Sequence, residues 1–284
     1  MTVTEAIARY RAALHEVLPY NELEASLRII FEDVLHMTPV DMVLRADMDV
    51  AEFFPARLDE IIARQQRHEP LQYILGQTRF AGLTLRVTPD VLIPRPETER
   101  LVDLIVDRHG HQTDLAVLDA CTGSGCIAIA LARALRFARV DGFDLSDKVL
   151  AVARDNVNRL RVDVDLWQAD LLRMVPEASP CYNIVVSNPP YVCVSERASM
   201  DANVTGYEPS TALFVPDEDP LKYYRPLCAY AVSALMPKGC LYLEVNSRFA
   251  RDVAQLATAS GLDDAQVLND QYGHPRYVIA NQRS

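Results

Sequence analysis

The chain has 284 residues, half of them hydrophobic, and a formal net charge of −11. This length allows two domains, and the acidic charge argues against a protein that binds by neutralising nucleic-acid phosphates. The six cysteines show no Cys-x-x-Cys pair and no matching histidine spacing, so we expect neither a metal site nor a disulfide framework. No stretch has the roughly 18 apolar residues that span a bilayer, and the N-terminus does not read as a signal peptide. We therefore expect a cytoplasmic protein with no membrane partner.

The first part of the chain has the pattern of amphipathic helices. Thr2 with Glu5 predicts a capping box ahead of an apolar stripe, and Asn21 with Glu24 repeats that start signal. A short third helix is predicted near residues 40–44. A fourth carries the apolar residues Val50, Phe53, Leu58, Ile61 and Ile62. With short polar connections, this pattern predicts a small all-α bundle over residues 1–72.

A β-hairpin is predicted next, as a linker over residues 73–95. Its strands are expected at Tyr73–Phe80 and Leu83–Val87, on either side of Ala81-Gly82. Further along, His109 and His111 lie in a polar connection. We expect both histidines to be solvated and to have no catalytic role.

Residues 96–284 alternate between short β-type runs and helical patterns, which predicts an α/β domain with a sheet covered on both faces. The predicted strands are Leu115–Leu118, Arg139–Phe143, Val164–Gln168, Ile184–Ser187, Cys240–Val245, Ala265–Leu268 and Tyr277–Ala280. The predicted helices are Cys126–Leu135, Asp147–Leu160, Leu221–Leu235 and Arg248–Ser260. The stretch Val192–Pro220 has little periodicity and is interpreted as a substrate loop.

The segment Ile184–Tyr191 joins an apolar strand to the sequence Asn-Pro-Pro-Tyr. Both prolines have a fixed φ and restrict Asn188 to extended conformations, so a stiff backbone presents its side chain. The Asn188 oxygen, beside carbonyl groups with few competing donors, suits a planar ligand with two N–H donors, such as an amide or an exocyclic amine. Tyr191 adds an aromatic face for that flat group. A proline-terminated surface turn is the alternative interpretation.

A second motif, Val117–Ala128, joins a predicted strand to an alanine-rich helix. Gly123 and Gly125 allow a tight turn and the close approach of a ligand to the helix N-terminus. Asp144 lies near the ~20-residue offset at which an acidic residue binds a ribose diol in nucleotide-binding α/β folds. These residues fit several adenosine cofactors, and a turn that only packs tightly stays open as an alternative.

Together the two motifs resemble the S-adenosylmethionine-dependent class I methyltransferases, specifically the protein glutamine N5-methyltransferases of the HemK or release-factor type. The resemblance covers nearly the whole chain and rests on Leu71–Gly76, Val91–Glu99, the glycine-rich turn, Asn188–Tyr191 and Tyr207–Leu213. The run Ile-Pro-Arg-Pro-Glu-Thr-Glu is its most specific element, because Asn-Pro-Pro-Tyr also occurs in adenine-N6 DNA methyltransferases. The resemblance implies a Rossmann-like, mostly parallel seven-stranded sheet preceded by a small helical domain.

The resemblance also implies a site and a cofactor, S-adenosylmethionine. The implied catalytic residues are Asn188, Pro189, Pro190 and Tyr191, with the Asn188 oxygen and the Pro189 carbonyl accepting the two N–H bonds of a carboxamide. The implied cofactor-binding residues are Asp119, Ala120, Cys121, Thr122, Gly123 and Gly125 at the methionine moiety, Asp144 at the ribose, Asp170 and Leu171 at the adenine, and Asn188. Simpler interpretations are a helix N-cap for Asp170 and a structural ion pair between Arg95 and Glu97.

The implied substrate is the glutamine of the Gly-Gly-Gln loop in class I peptide-chain release factors, held with the help of the helical domain. We expect a monomer without direct nucleic-acid contact. Cys121 stands where the family usually has a glycine, as in sister enzymes that methylate a ribosomal-protein glutamine, and 215–220 and 244–247 also depart from the family pattern. A ribosomal-protein glutamine methyltransferase, an adenine-N6 nucleic-acid methyltransferase and a non-catalytic cofactor-binding module therefore remain alternatives.

Overall fold

The computed structural model describes residues 1–175 and 179–283, which form two compact units. One unit contains Met1–Leu75 together with Asp201–Tyr207, and the other contains Gly76–Met200 and the chain from Glu208 onward. The segment Asp201–Tyr207, assigned from sequence to the second domain, lies in the first unit, where the Tyr207 hydroxyl donates to the Arg67 carbonyl at 2.6 Å. Of the predicted hairpin linker, residues 76–95 lie in the second unit and residues 73–75 in the first.

The first unit is helical. Its elements are α1 (Val3–Leu14), α2 (Tyr20–Leu35), α3 (Pro39–Leu44), α4 (Phe54–Gln65), α5 (Leu71–Leu75) and, from the later segment, α9 (Ala202–Tyr207). Residues on one face of α1, α2 and α4 form its core, in which Phe31 and Phe54 meet edge to face. The capping box predicted at Thr2 is confirmed, since Glu5 N donates to Thr2 Oγ1 at 3.2 Å and Thr2 N donates to Glu5 Oε2 at 2.8 Å.

Two predictions for this unit are wrong at element boundaries. Helix α2 begins at Tyr20 after Pro19 without a side-chain cap, and Glu24 instead accepts two hydrogen bonds from the Arg11 guanidinium, at 2.7 and 2.6 Å. The predicted strand Tyr73–Phe80 is a strand only from Gln77, and its first residues belong to the short helix α5, in which the Pro70 carbonyl accepts from both Tyr73 N and Ile74 N. An apolar run this short has no clear period, so its aromatic and β-branched residues imitate a strand.

The second unit contains the hairpin and a seven-stranded sheet. Its strands are β1 (Gln77–Phe80), β2 (Leu83–Arg86), β3 (Ala116–Ala120), β4 (Arg139–Asp144), β5 (Val164–Gln168), β6 (Tyr182–Ser187), β7 (Val192–Cys193), β8 (Phe214–Val215), β9 (Leu235–Glu244), β10 (Asp263–Asn269) and β11 (Pro275–Asn281). Its helices are α6 (Pro96–His109), α7 (Cys126–Ala134), α8 (Asp147–Leu160), α10 (Ser210–Leu213), α11 (Tyr224–Ala234) and α12 (Ala250–Ser260). The stretch read as a substrate loop contains β7, β8, α9 and α10, which are too short to produce a period.

The sheet order is β10-β11-β9-β6-β3-β4-β5. The five neighbouring strands β9, β6, β3, β4 and β5 are parallel, and β11 pairs antiparallel with both β10 and β9. Alternate residues of β3 enter two hydrophobic cores, one shared with α6 and α7 and the other with α11 and α12. The predicted class I methyltransferase architecture, a mostly parallel seven-stranded α/β sheet covered on both faces, is thereby confirmed. In the described part of the chain, no helix is long and apolar enough to cross a membrane.

His109 is buried, contrary to the prediction that it is solvated. It ends α6, where its Nε2 lies 2.8 Å from the Tyr242 hydroxyl on β9. The side chain is only 6% exposed, and burial together with the adjacent Arg108 charge lowers the pKa of His109 to about 4. Histidine at this position therefore stays neutral in the folded protein at neutral pH.

This lowered pKa predicts loss of stability in mild acid. Between the ordinary histidine value of about 6.5 and the folded value, only the unfolded chain binds the proton, so the free energy of unfolding falls as the pH falls. From pH 7.5 to pH 5.0 we expect His109 to remove about 2 kcal/mol. Urea denaturation of the wild type and His109→Gln at both pH values measures this loss, which the variant should lack. The exposed His111→Gln serves as control, and an equal pH dependence in all three proteins would refute the assignment.

Candidate active site

A cavity opens at the carboxyl ends of the parallel strands. It has a volume of about 330 Å³ and is lined by residues that follow β3, β4, β5 and β6. The chain runs outward from β3 through β4 to β5 and then returns to the other side of β3 as β6. Ligands of open α/β sheets bind at such a switch point, where loops from neighbouring strands diverge and leave a crevice.

Asp119 organises the turn after β3 from the interior. Its Oδ2 accepts from Thr122 Oγ1 at 2.6 Å and from Ala128 N at 3.1 Å, which ties the turn to the first residues of α7. The carboxyl group is fully buried, its Oδ1 has no hydrogen-bond partner among the described residues, and burial raises the pKa of Asp119 to about 7. Asp119 therefore does not line the cavity, but its hydrogen bonds hold the turn that forms part of the cavity wall.

The backbone of this turn adopts left-handed conformations at Cys121, Gly123 and Gly125, with φ of 60°, 58° and 81°. A Cβ atom added at Gly123 would meet no atom within 4 Å, so this glycine borders open space at the cavity. At Gly125, an added Cβ would come within 3.1 Å of Ile129 on α7, so the absence of a side chain at Gly125 allows close packing against this helix. Cys121 occupies the left-handed region without being glycine, which is sterically costly.

The end of β4 supplies a carboxylate to the cavity. Asp144 Oδ2 accepts from Gly123 N at 3.1 Å and Oδ1 accepts from Ser146 N at 3.3 Å, so the carboxylate is fixed by the turn beside it. Burial raises the pKa of Asp144.

Asp170 and Leu171 line the cavity after β5, and Asp170 is also a helix N-cap, since its Oδ1 accepts from Leu172 N at 3.0 Å. The simpler interpretation of Asp170 is thus confirmed, at a residue that also lines the cavity.

Asn188 follows β6 at the rim of the same cavity. Its Nδ2 donates to Thr98 Oγ1 at 3.0 Å, and Thr98 Oγ1 donates to Glu244 Oε2 at 2.7 Å. The Tyr191 hydroxyl donates to the other oxygen, Glu244 Oε1, at 3.0 Å. A strand pairing explains the meeting, because Ser187 on β6 is level with Leu243 on β9, so Asn188 follows β6 beside Glu244, the last residue of β9.

Glu244 is fully buried at the end of β9. Burial raises the pKa of this carboxyl group, while hydrogen bonds from Thr98 and Tyr191 and the nearby Arg276 charge oppose that rise. The Arg276 guanidinium lies 5.9 Å from the centre of the Tyr191 ring and donates to the Val245 carbonyl at 3.3 Å. A buried carboxylate is therefore held by two hydroxyl donors with an arginine close by.

The predicted ion pair between Arg95 and Glu97 is wrong in its acidic partner. Arg95 Nη2 contacts Glu208 Oε1, and the Glu208 side chain is 1% exposed. The second oxygen, Glu208 Oε2, accepts from Ile93 N at 3.2 Å. Because Glu208 is 115 residues from Ile93, sequence spacing did not reveal this partner. The contact holds the segment before α6 within the second unit.

Most predicted site residues border one cavity. The cavity is lined by Cys121, Thr122, Gly123, Asp144, Asp170, Leu171, Asn188 and Pro190, whereas Asp119, Ala120, Gly125, Pro189 and Tyr191 are not among its lining residues. Within residues 1–175 and 179–283, no group of three or more His, Cys, Asp or Glu side chains is placed to hold a metal ion.

Sequence reasoning missed two residues that support the site, Thr98 and Glu244. Thr98 also lines the cavity. It lies within the motif that carries the family resemblance, and Glu244 is a carboxylate at the end of an apolar strand. These two positions were signals that could have pointed to the residues, but the contact between them spans 146 residues of sequence.

Comparison with known proteins identifies both parts of the chain. Residues 5–76 match the model of the PrmC N-terminal domain, and residues 117–210 match a methyltransferase domain model. A methyltransferase crystal structure from Pyrococcus furiosus aligns over 72% of this chain and 90% of its own, with a TM-score of 0.52 and 15% identity. That likeness supports the fold.

Relatives along the whole chain are more informative. The release factor glutamine methyltransferase of Bacteroides thetaiotaomicron is 40% identical, over 97% of this chain and 98% of its own length. The enzyme of the same name from Flavobacterium psychrophilum is 35% identical over the full length of both chains. This chain belongs to the family of release factor glutamine methyltransferases.

Proposed function

We propose that this protein transfers a methyl group from S-adenosylmethionine to the side-chain amide nitrogen of the glutamine in the Gly-Gly-Gln loop of class I release factors. The orientation of the Asn188 carboxamide carries the proposal. Its Nδ2 is bound to Thr98, and no hydrogen bond engages its Oδ1 among the described residues. The cavity rim therefore offers an acceptor oxygen, which suits a substrate with N–H donors.

The cavity fits the proposed cofactor. Its volume is within the roughly 300 to 1,000 Å³ of small-molecule sites, and Gly123 leaves space at the helix N-terminus. Asp144 would bind the ribose hydroxyls, Cys121, Thr122 and Gly123 the methionine moiety, and Asp170 with Leu171 the adenine edge. When bound, the cofactor supplies an electrophilic methyl group on a positively charged sulfur.

The protein's part in the reaction is to orient a weak nucleophile. The lone pair of a carboxamide nitrogen is delocalised into the carbonyl, which makes the nitrogen a weak nucleophile. The rate therefore depends on where the nitrogen is held and on how it is directed at the methyl group. We propose that Asn188 Oδ1 and the Pro189 carbonyl accept the two N–H bonds and aim the nitrogen at the methyl carbon. Such positioning can lower a barrier by about 7 to 11 kcal/mol in favourable cases.

The same two acceptors would assist as the reaction proceeds. Positive charge develops on the nitrogen while the N–C bond forms, so both hydrogen bonds strengthen towards the transition state. The nitrogen then releases one proton to water and remains a neutral methylated amide. A dedicated general base is not needed, because the alkylated amide is strongly acidic before it loses that proton.

The helical unit is proposed to help bind the release factor. A glutamine must protrude from a loop to reach a cavity rim stiffened by two prolines, and a separate unit can hold the body of the protein that carries the loop. We propose a monomer that acts on release factors in the cytoplasm, where translation ends.

The test uses labelled S-adenosylmethionine with separate acceptors. The arms are a class I release factor, its Gln-to-Ala variant at the Gly-Gly-Gln loop, ribosomal proteins, DNA and RNA. We expect label in the release factor alone and none in the Gln-to-Ala variant. Label only in ribosomal protein or in nucleic acid would replace the proposed substrate, and cofactor binding without transfer to any arm would indicate a binding module.

A further inference from the structure

The hydrogen bonds behind Asn188 form a relay with a defined direction. It runs from Asn188 Nδ2 to Thr98 Oγ1 over 3.0 Å and from Thr98 Oγ1 to Glu244 Oε2 over 2.7 Å. The segments that meet here are separate in sequence: the first turn of α6, the end of β9 and the residue after β6. Thr98 is 2% exposed and Glu244 is fully buried, so water does not compete at the inner end.

The carboxylate fixes the direction of every bond in this relay. An ionised carboxylate can only accept, so the single proton of the Thr98 hydroxyl must point to Glu244. Thr98 Oγ1 then has only lone pairs to offer to Asn188. Of the two ends of the Asn188 carboxamide, only the NH₂ group can use those lone pairs, and the oxygen is turned away from Thr98.

We infer that Thr98 and Glu244 are positioning residues that lock the Asn188 carboxamide with its oxygen towards the substrate, and that this lock makes the site prefer a glutamine amide over a glutamate carboxylate. The inference rests on the proposed function and specifies how its substrate is selected. An exposed oxygen attracts the N–H donors of an amide. The same oxygen repels the oxygens of a carboxylate, which have no proton to donate at neutral pH.

Surrounding contacts keep the inner end of the relay in place. Glu244 Oε1 accepts from Tyr191 at 3.0 Å, so both of its oxygens are engaged. The Tyr191 carbonyl accepts from Asn246 Nδ2 at 3.1 Å, which holds the tyrosine against the end of β9. The Arg276 guanidinium near Tyr191 supplies a positive charge that favours the ionised carboxylate. Loss of the Thr98 hydroxyl would leave the Asn188 carboxamide able to rotate by half a turn.

The experiment compares Thr98→Val with Thr98→Ser. Valine keeps the shape and removes the hydroxyl, whereas serine restores the hydroxyl. With a release factor as substrate, we expect Thr98→Val to lower kcat about 10-fold and to leave the dissociation constant of S-adenosylmethionine within about 2-fold. Thr98→Ser should recover most of the lost turnover.

Selectivity gives a readout that a general loss of packing would not change. Release factors carrying Glu or Ala in place of the reactive Gln are used as competing inhibitors. For the wild type, the Glu form should inhibit more weakly than the Ala form, because its carboxylate meets the Asn188 oxygen. In Thr98→Val and in Glu244→Gln we expect this difference to shrink at least about 3-fold.

Tyr182→Phe is the matched control. Its hydroxyl donates to Asp141 Oδ2 at 2.9 Å, a buried bond between a hydroxyl and a carboxylate at the opposite end of β6. This variant should keep wild-type turnover and selectivity. The inference alone would be overturned if the wild type methylates the release factor and Thr98→Val has the same kcat and the same selectivity as the wild type. Absence of wild-type methylation would instead overturn the proposed function.

Discussion

Replacing Asn188 with alanine should lower kcat about 10²- to 10³-fold, the range seen when one preorganised polar contact to a transition state is removed. The variant loses the acceptor oxygen at the cavity rim, so the substrate nitrogen is no longer oriented. The turn at Cys121–Gly123 and the carboxylate of Asp144 stay in place, since neither bonds to the Asn188 side chain in the described structure. The affinity for S-adenosylmethionine should therefore change by less than about 3-fold.

Turnover assays and isothermal titration with S-adenosylmethionine separate these two effects for Asn188→Ala. The control is Asn158→Ala, the same deletion at an exposed position on α8. It should behave as the wild type in both measurements. If Asn188→Ala weakens cofactor binding strongly while kcat is preserved, Asn188 is a cofactor ligand and the proposed amide clasp is wrong.

Asp144→Asn should have the opposite pattern, with cofactor binding weakened first. The carboxylate has two proposed tasks, which are to bind the ribose hydroxyls and to hold Gly123 N at 3.1 Å. Hydrogen bonds to a charged group contribute about 1.5 to 3 kcal/mol each. We expect the dissociation constant of S-adenosylmethionine to rise roughly 100-fold, while kcat at saturating cofactor stays within about 5-fold of the wild type.

Asp147→Asn controls for the change in net charge, because Asp147 is an exposed carboxylate at the start of α8 and does not line the cavity. It should leave the dissociation constant unchanged. Thermal unfolding of Asp144→Asn tests whether the turn itself is lost. A folded Asp144→Asn variant with wild-type affinity would remove Asp144 from the proposed cofactor site.

The sheet could be predicted from sequence because each strand has its own local signal. The predicted bounds agree to the residue with the structure for helix α8 (Asp147–Leu160) and for strand β5 (Val164–Gln168). The predicted start of β6, the strand that ends at Ser187, is two residues from the observed start. Apolar runs between turn residues and helices with a clear period depend only on neighbours in sequence. The same holds for the turn at Gly123 and for the Asn-Pro-Pro-Tyr segment, which places Asn188 at the end of a strand.

What could not be predicted depends on contacts between distant segments. Thr98 and Glu244 meet only because α6 packs near the end of β9, and Glu208 reaches Arg95 from 113 residues away. His109 has a polar sequence neighbourhood, yet Tyr242 encloses it. No period or spacing contains this information, since it arises when the sheet assembles.

The most direct test of the account is a crystal structure of the protein with S-adenosylhomocysteine and a peptide or release factor that carries Gly-Gly-Gln. The account predicts the glutamine amide nitrogen at hydrogen-bond distance, roughly 3 Å, from both Asn188 Oδ1 and the Pro189 carbonyl, facing the cofactor sulfur. A glutamine bound elsewhere, or Asn188 directed away from the sulfur, would contradict it.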